Sequence, residues 1–171
     1  MINMDLYKLM ENRRSIRDFS KKTFPKEKLE TVLKAALLSP SGANQKPFSY
    51  VVLDDIKTKK IIKKTCESID KKYYSKSPDW FKEWIQSKNI SLDKNFLVDA
   101  PYLVVVSGEI DKPYWLESTW LSIAYFILAA ENECLGTLTY TPADMKFLIE
   151  LLELPKGFEP VVIIPIGLFK P

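Results

Sequence analysis

The sequence predicts a single domain over residues 1–171, in which one sheet carries helices on both faces. Three observations lead there. Segments with apolar residues at helical spacing alternate with short apolar runs, in the order helix, helix, strand, helix, strand, helix, strand, helix, strand. Tyr102 to Ser107 is almost continuously apolar, as in a strand covered from both sides. No internal repeat, low-complexity tract or domain boundary interrupts the chain.

Asp5 can cap a first helix that reaches about Arg13, with Leu6, Leu9 and Met10 on one face. Pro25 suits the first turn of a second helix, whose buried face is Leu29, Val32, Leu33, Ala36 and Leu37. The dense turn signal Ser39-Pro40-Ser41-Gly42-Ala43-Asn44 ends it. Phe48 to Leu53 reads as a strand. Lys57 to about Lys72 reads as a lysine-rich helix with Ile61, Ile62 and Ile69 inward. Residues 73–98 are the least regular, with six aromatic rings among lysines and serines, and are a candidate lid. Glu117 to Cys134 is a long, mostly apolar helix, which requires a central place or an oligomer interface. Gly136 to Tyr140 is a short strand. Thr141-Pro142 opens another helix, Ala143 to about Leu152. Val161 to Leu168 is the last strand, and Pro165 marks an edge, a bulge or a strand end within it.

Composition removes several function classes. The net charge of +3, from 25 basic and 22 acidic residues, is too mild for a nucleic-acid partner. No histidine is present, so Ser-His-Asp and Cys-His mechanisms and histidine-ligated metals are excluded. The two cysteines, Cys66 and Cys134, match no metal spacing, and Cys134 is expected to be a buried small hydrophobe. With no signal core at the N-terminus and no membrane-length apolar run, a cytoplasmic protein with no membrane association is expected. No GxGxxG and no P-loop occurs. The acid pair Asp54-Asp55 reads as a solvated turn.

Two segments carry chemistry. All three arginines lie in the run Arg13-Arg14-Ser15-Ile16-Arg17, although the chain otherwise uses lysine for its positive charge. Arginine adds a rigid, permanently charged fork that grips phosphate or carboxylate with two parallel bonds, and Ser15 adds a hydroxyl. The other reading of the same run is a solvated helix end whose arginines sit near the last carbonyls. The loop Ser39 to Phe48 concentrates hydroxyls, amides, one glycine and one lysine between a buried helix and a buried strand. It can aim backbone N–H groups at a ligand, or simply connect the two elements.

Taken together, Arg13-Arg14-Ser15-Ile16-Arg17-Asp18-Phe19 and Ser39-Pro40-Ser41-Gly42-Ala43-Asn44-Gln45-Lys46-Pro47-Phe48 resemble the nitroreductase family of FMN-dependent oxidoreductases. Cys134 to Pro142 is similar to the family's "GLGT" stretch with its adjoining segment, and Phe158 to Gly167 to its last core strand. The resemblance covers most of the chain except roughly residues 55 to 98. It implies an α+β fold, a three-layer α/β/α arrangement with a central, mostly antiparallel sheet flanked by helices. It also implies a homodimer with FMN in the interface.

By resemblance, Arg13, Ser15 and Arg17 hold the phosphate, ribityl chain and pyrimidine edge of FMN, with Arg14 a further phosphate partner. Pro40, Ser41 and Asn44 reach the flavin from the other protomer. Leu138 to Asp144, with Leu138, Thr139, Thr141 and Asp144 as candidates, lie near the isoalloxazine, and a helix starting at Asp144 favours reduced, anionic flavin. Where family members read Asn-x-Gln-Pro-Trp, this chain has Asn44-Gln45-Lys46-Pro47-Phe48, so Lys46 either bonds the flavin pyrimidine or is solvated. Longer members supply one more basic residue from a C-terminal tail, which is expected to be missing here unless Lys170 substitutes for it.

The implied reaction is ping-pong. NADH or NADPH binds transiently and reduces the flavin at N5, and a nitroaromatic, quinone or similar electron-poor acceptor then takes the electrons. No catalytic side chain and no metal is needed. The alternatives are an FMN-binding protein with little turnover, or a flavoenzyme with a specialised dehalogenase or dehydrogenase substrate. The aromatic residues Tyr73 to Trp84, with Tyr114, Trp115 and Trp120, either roof the ligand pocket or pack in a core or interface, and Trp120 is assigned to packing.

Overall fold

The computed structural model describes residues 5–88 and 90–169. Asp5 accepts a hydrogen bond from the Tyr7 amide and starts α1, Leu6–Asn12. Pro25 precedes α2, Lys26–Leu37, which buries Leu29, Val32 and Ala36 as its spacing predicts. A 3-10 turn, Gly42–Asn44, leads into β1, Phe48–Leu53. The Asp55 carboxylate caps α3, Ile56–Lys76, at the Thr58 amide. Then come α4, Asp79–Ser87, α5, Phe96–Asp99, and β2, Tyr102–Glu109. The chain closes with α6, Trp115–Asn132, β3, Gly136–Thr137, α7, Phe147–Leu151, and β4, Phe158–Gly167.

The strands form one antiparallel sheet in the order β1-β2-β4-β3. Because side chains alternate along a strand, β2 serves two cores. Val104 and Val106 join Val162, Ile164, Ile123 and Phe126 in the core under α2 and α6. Leu103 and Val105 join Ile163, Ile62, Leu97 and Leu148 on the opposite face, under α3, α5 and α7. Two helical layers therefore enclose a central sheet, and β2 is covered on both faces as its composition demands.

Several local expectations are corrected. Residues 73–98 are largely helical: α3 continues to Lys76, and Pro78 precedes the first turn of α4. The aromatic density there hides an ordinary helical spacing of Phe81, Trp84 and Ile85. The inward stripe of α3 is Lys59, Ile62, Cys66 and Asp70, whereas Ile61 is exposed. The last helix begins at Phe147, so Asp144 does not start it. The Asp144 carboxylate accepts the Lys146 amide instead and turns the chain before the helix. Only Gly136–Thr137 forms a strand in the Gly136 to Tyr140 segment. Cys134 is exposed, at the left-handed residue (φ 58°) just past α6 that such helix ends favour.

Lys59 has a buried ammonium group, which donates to the Ala100 and Pro101 carbonyls at 2.6 and 3.3 Å. It fastens α3 to the end of α5, and burial lowers its pKa from the usual lysine value.

Candidate active site

The arginine segment is set by the sheet. After α1, residues 15–20 run beside β3 and β4. Ser15 forms a parallel bridge with Thr137, the Ile16 amide donates to the Thr137 carbonyl at 2.9 Å, and Phe19 bridges Phe169. Alternation then buries Phe19, half-buries Ile16 and leaves Ser15 and Arg17 exposed. Gly136 makes the close approach possible, since a Cβ there would lie 2.8 Å from Ile16 Cγ1.

The three arginines have different surroundings. Arg14 donates to the Glu11 and Arg13 carbonyls, so it caps the end of α1. Arg17 donates to the Ser15 carbonyl at 3.3 Å and lines the main groove of the molecule. The Arg13 guanidinium has no side-chain partner among the described residues. It is half-buried at the α1 terminus, where its amide bonds the Leu9 carbonyl.

That groove has a volume of about 1270 Å³. One wall is the stretch Leu138 to Thr141 with Ala143, and Arg17 stands at its edge. Pro165 shapes this wall. Thr137 pairs with Ile166 and Tyr140 with Ile163, so Leu138 stands opposite Pro165. Proline has no N–H to complete that rung, and the ladder lapses between Thr137 and Tyr140. Leu138 and Thr139, between these two pairings, line the groove, while β4 itself runs through Pro165 as an internal strand rather than ending, bulging or lying at an edge there.

The opposite wall comes from Asp70, Tyr73 and Tyr74 of α3, Phe81 and Trp84 of α4, and Ser91 with Asp93 to Phe96. Phe81 stacks on Trp84 with centroids 5.8 Å apart and meets Tyr74 edge-on. Asp70 and Lys94 of this wall form a charged cluster with Tyr140 of the other. Lys94 Nζ is 3.4 Å from Asp70 Oδ2, with both side chains only 5% exposed. The Tyr140 hydroxyl donates to the same oxygen at 2.8 Å. Lys94 Nζ also lies 5.8 Å from the ring centroids of Tyr74 and Tyr140 and donates to the Ser91 carbonyl. Burial, chiefly, raises the Tyr140 hydroxyl far above the ordinary phenol value, and raises that of Tyr74 as well.

The loop bearing Lys94 is fastened to α3 by further polar contacts. Glu67 accepts the Lys94 amide at 2.8 Å. Lys63 reaches Asp93 at 2.8 Å, Glu67 at 3.3 Å and the Asn95 side chain at 2.7 Å.

Sequence reading missed Asp70, Lys94 and Tyr140. A signal existed for one of them: Asp70 continues the helical stripe of Ile62 and Cys66, and a carboxylate on an apolar stripe requires a partner. Of the twelve residues proposed for the flavin, Arg17, Leu138, Thr139 and Thr141 line the groove. Pro40, Ser41, Asn44 and Lys46 do not. Their loop is seated on the start of α6, where the Gly42 amide donates to Ser118 Oγ and a Cβ on Gly42 would lie 2.9 Å from Tyr114 Cδ2. Ala43, Asn44 and Lys46 all have left-handed backbone there, and the Ser41 hydroxyl accepts the Lys46 amide. Lys170 lies outside the described residues.

Beside this loop, α6 exposes Leu116, Trp120, Leu121 and Tyr125, and α1, packed on α6, exposes Leu6, Tyr7 and Met10. Trp120 thus points away from the monomer core. Among the described residues, no group of acids and cysteines is placed to hold a metal, and no helix is long and apolar enough to cross a membrane.

The two cysteines have opposite surroundings. Burial pushes the Cys66 thiol up to about 12, while Cys134 is exposed. A raised thiol pKa means little thiolate below that pH, so native protein treated with iodoacetamide near pH ~8 should label at Cys134 only. Unfolding should expose the second thiol. Mass spectrometry that finds Cys66 alkylated in the native state would contradict its enclosure.

A sheet, an arginine run beside its edge and a groove over interrupted backbone match a known arrangement. The model of the nitroreductase family matches residues 10–168. The chain belongs to the nitroreductase family. Within this family it is similar to an iodotyrosine deiodinase of Thermotoga neapolitana, 38% identical over 162 residues, spanning 95% of this chain and 87% of the relative. An iodotyrosine deiodinase of Haliscomenobacter hydrossis is 31% identical over 175 residues, spanning 95% and 78%. A solved structure of an oxidised iodotyrosine deiodinase bound to FMN and 3-iodo-L-tyrosine superposes with a TM-score of 0.93 at 37% identity, covering 97% of this chain and 90% of that one.

Proposed function

We propose that this chain is an FMN-dependent reductive dehalogenase of free halogenated tyrosines. The observation that carries the proposal is the buried pair Asp70–Lys94, set in the wall of a groove that also carries the rings of Tyr73, Tyr74, Phe81 and Trp84. A buried carboxylate beside a buried ammonium is complementary to an amino acid, whose own ammonium and carboxylate can exchange partners with them. Tyr74, Phe81 and Trp84 offer flat apolar surface for the substrate ring. The similarity to iodotyrosine deiodinases supports the same class of substrate.

The residues present fit FMN. Arg13 presents a fork with no protein partner among the described residues, next to the Ser15 hydroxyl and to Arg17. Those three groups would hold the phosphate and ribityl chain, and the free backbone of Leu138 and Thr139, with Thr141, would meet the ring. FMN, once reduced, supplies the two electrons that with a proton replace the halogen by hydrogen and release halide. Lys94 would take the substrate carboxylate and Asp70 its ammonium, and the aromatic wall would shield the halogenated ring from water. NADH or NADPH is the proposed source of the electrons.

The exposed apolar face of α1 and α6 is proposed to bind a second copy of this chain. Pro40, Ser41, Asn44 and Lys46, on the loop next to that face, would then reach the partner's flavin. A helical surface with Trp120, Leu121 and Tyr125 exposed fits such a contact better than water.

The test begins with the visible spectrum of FMN-loaded protein, reduced anaerobically by NADH, NADPH or dithionite. Reduced flavin that is reoxidised by 3-iodotyrosine with release of iodide, and slowly by 2-iodophenol, is the expected outcome. Reoxidation by a nitroaromatic or quinone without turnover of iodotyrosine would assign the chain to general nitroreduction instead. Flavin that binds and never turns over would make it a binding protein.

A further inference from the structure

We infer that Tyr140 is a positioning residue that registers the Asp70–Lys94 pair against the sheet, and so makes the groove select amino acids over simple phenols. This rests on the reading of that pair as the amino-acid site. Asp70 belongs to α3, and Lys94 to the loop between α4 and α5. Among the described residues, the Lys94 loop's polar contacts with Glu67, Lys63 and Ser91 also belong to those two elements. Tyr140 comes from the sheet. Its backbone is held from both directions by Ile163, with N–H and C=O each bonded at 2.9 Å. Its ring is braced edge-on by Phe96 at 5.2 Å. The hydroxyl therefore has a fixed place, and it donates to Asp70 Oδ2 at 2.8 Å.

The consequence is asymmetric. When a zwitterion enters, its carboxylate draws Lys94 away and its ammonium replaces Lys94 beside Asp70. Without a second partner, Asp70 would be free to follow Lys94 or turn into the space it leaves. The Tyr140 bond keeps the carboxylate partnered throughout the exchange and fixed relative to Leu138 and Thr139, two and one residues away on the same strand extension. The substrate's ammonium is thereby held at a constant distance from the wall that faces its ring. A phenol without the amino-acid group makes no use of this bond.

Tyr140→Phe removes the hydroxyl and keeps the ring that meets Phe96 and Lys94, so the fold is retained. The experiment is calorimetric titration of oxidised, FMN-loaded protein with 3-iodotyrosine and with 2-iodophenol, for wild type and variant. Wild type is expected to prefer iodotyrosine. The variant is expected to lose about tenfold in iodotyrosine affinity, the effect of one hydrogen bond to a charged group, with iodophenol affinity unchanged. A variant that keeps the wild-type preference, or loses both ligands equally, overturns the inference and leaves the proposed function intact. Wild type that binds the two ligands equally overturns the amino-acid reading of the groove, and this inference with it.

Discussion

Arg13→Ala is expected to weaken FMN binding by about 10- to 100-fold, the effect of losing a charge-assisted contact to phosphate. The reason lies in how the three arginines are used. Arg14 is committed to the carbonyls of Glu11 and Arg13, and Arg17 bonds the Ser15 carbonyl and lines the groove. Arg13 alone combines partial burial with a guanidinium that no described residue takes up. The substitution leaves the backbone bond from residue 13 to Leu9 in place, so little stability should be lost. Lys8→Ala, an exposed position on the same helix, is the matched control. Arg13→Lys should recover only part of the affinity, because an ammonium cannot form two parallel bonds. A fluorescence titration of FMN into the three variants decides the matter. Equal dissociation constants for Arg13→Ala and Lys8→Ala would place the phosphate elsewhere.

Lys94→Met should destabilise the protein by about 3–5 kcal/mol, the usual result of orphaning a buried charge. Asp70 is only 5% exposed on its side chain and would keep the Tyr140 hydroxyl alone to balance its charge. Methionine preserves much of the volume and apolar stem, so the loss reads the charge and not a cavity. Asp70→Asn in the Lys94→Met background should restore most of the stability, since the neutral amide can still accept from Tyr140. Urea unfolding of the two single variants and the double variant measures the coupling directly. If Lys94→Met unfolds at the wild-type midpoint, the pair is not buried in solution as its geometry requires.

The contrast between what could and could not be read from the chain comes from range. The cap at Asp5, most of the inward face of α2 and the double coverage of β2 depend on residues a few positions apart, so spacing reveals them, although Leu37 is exposed and Asp55, read as a solvated turn, caps α3. Pro165 marks no edge, bulge or end of β4, because its missing N–H falls on the side of the two-residue β3 and leaves the pairing with β2 intact. The Asp70–Lys94–Tyr140 cluster was not visible, because α3, a loop and the segment after β3 meet only once the sheet has formed. Helix α4 was missed because aromatic residues on a lysine-rich background fit a ligand wall as well as a helix face. Cys134 was misplaced by ranking its type as buried, when the left-handed turn after α6 decides its position. Of the arginine run, the structure puts Arg14 at the helix end, as one of its two readings has it, and Arg17 beside the groove.

The fastening of the Lys94 loop to α3 has a bearing on how solution conditions act on the protein. It rests on Lys63, Glu67, Asp93 and the Asp70–Lys94 pair, and Lys63 and Asp93 are 23% and 56% exposed on their side chains. Exposed ion pairs weaken as ionic strength rises, since the Debye length falls from about 30 Å at 0.01 M to about 10 Å at 0.1 M. The buried pair is shielded from that effect. Salt therefore weakens the outer rung of the attachment, at Lys63 and Asp93, more than the inner one at Asp70 and Lys94.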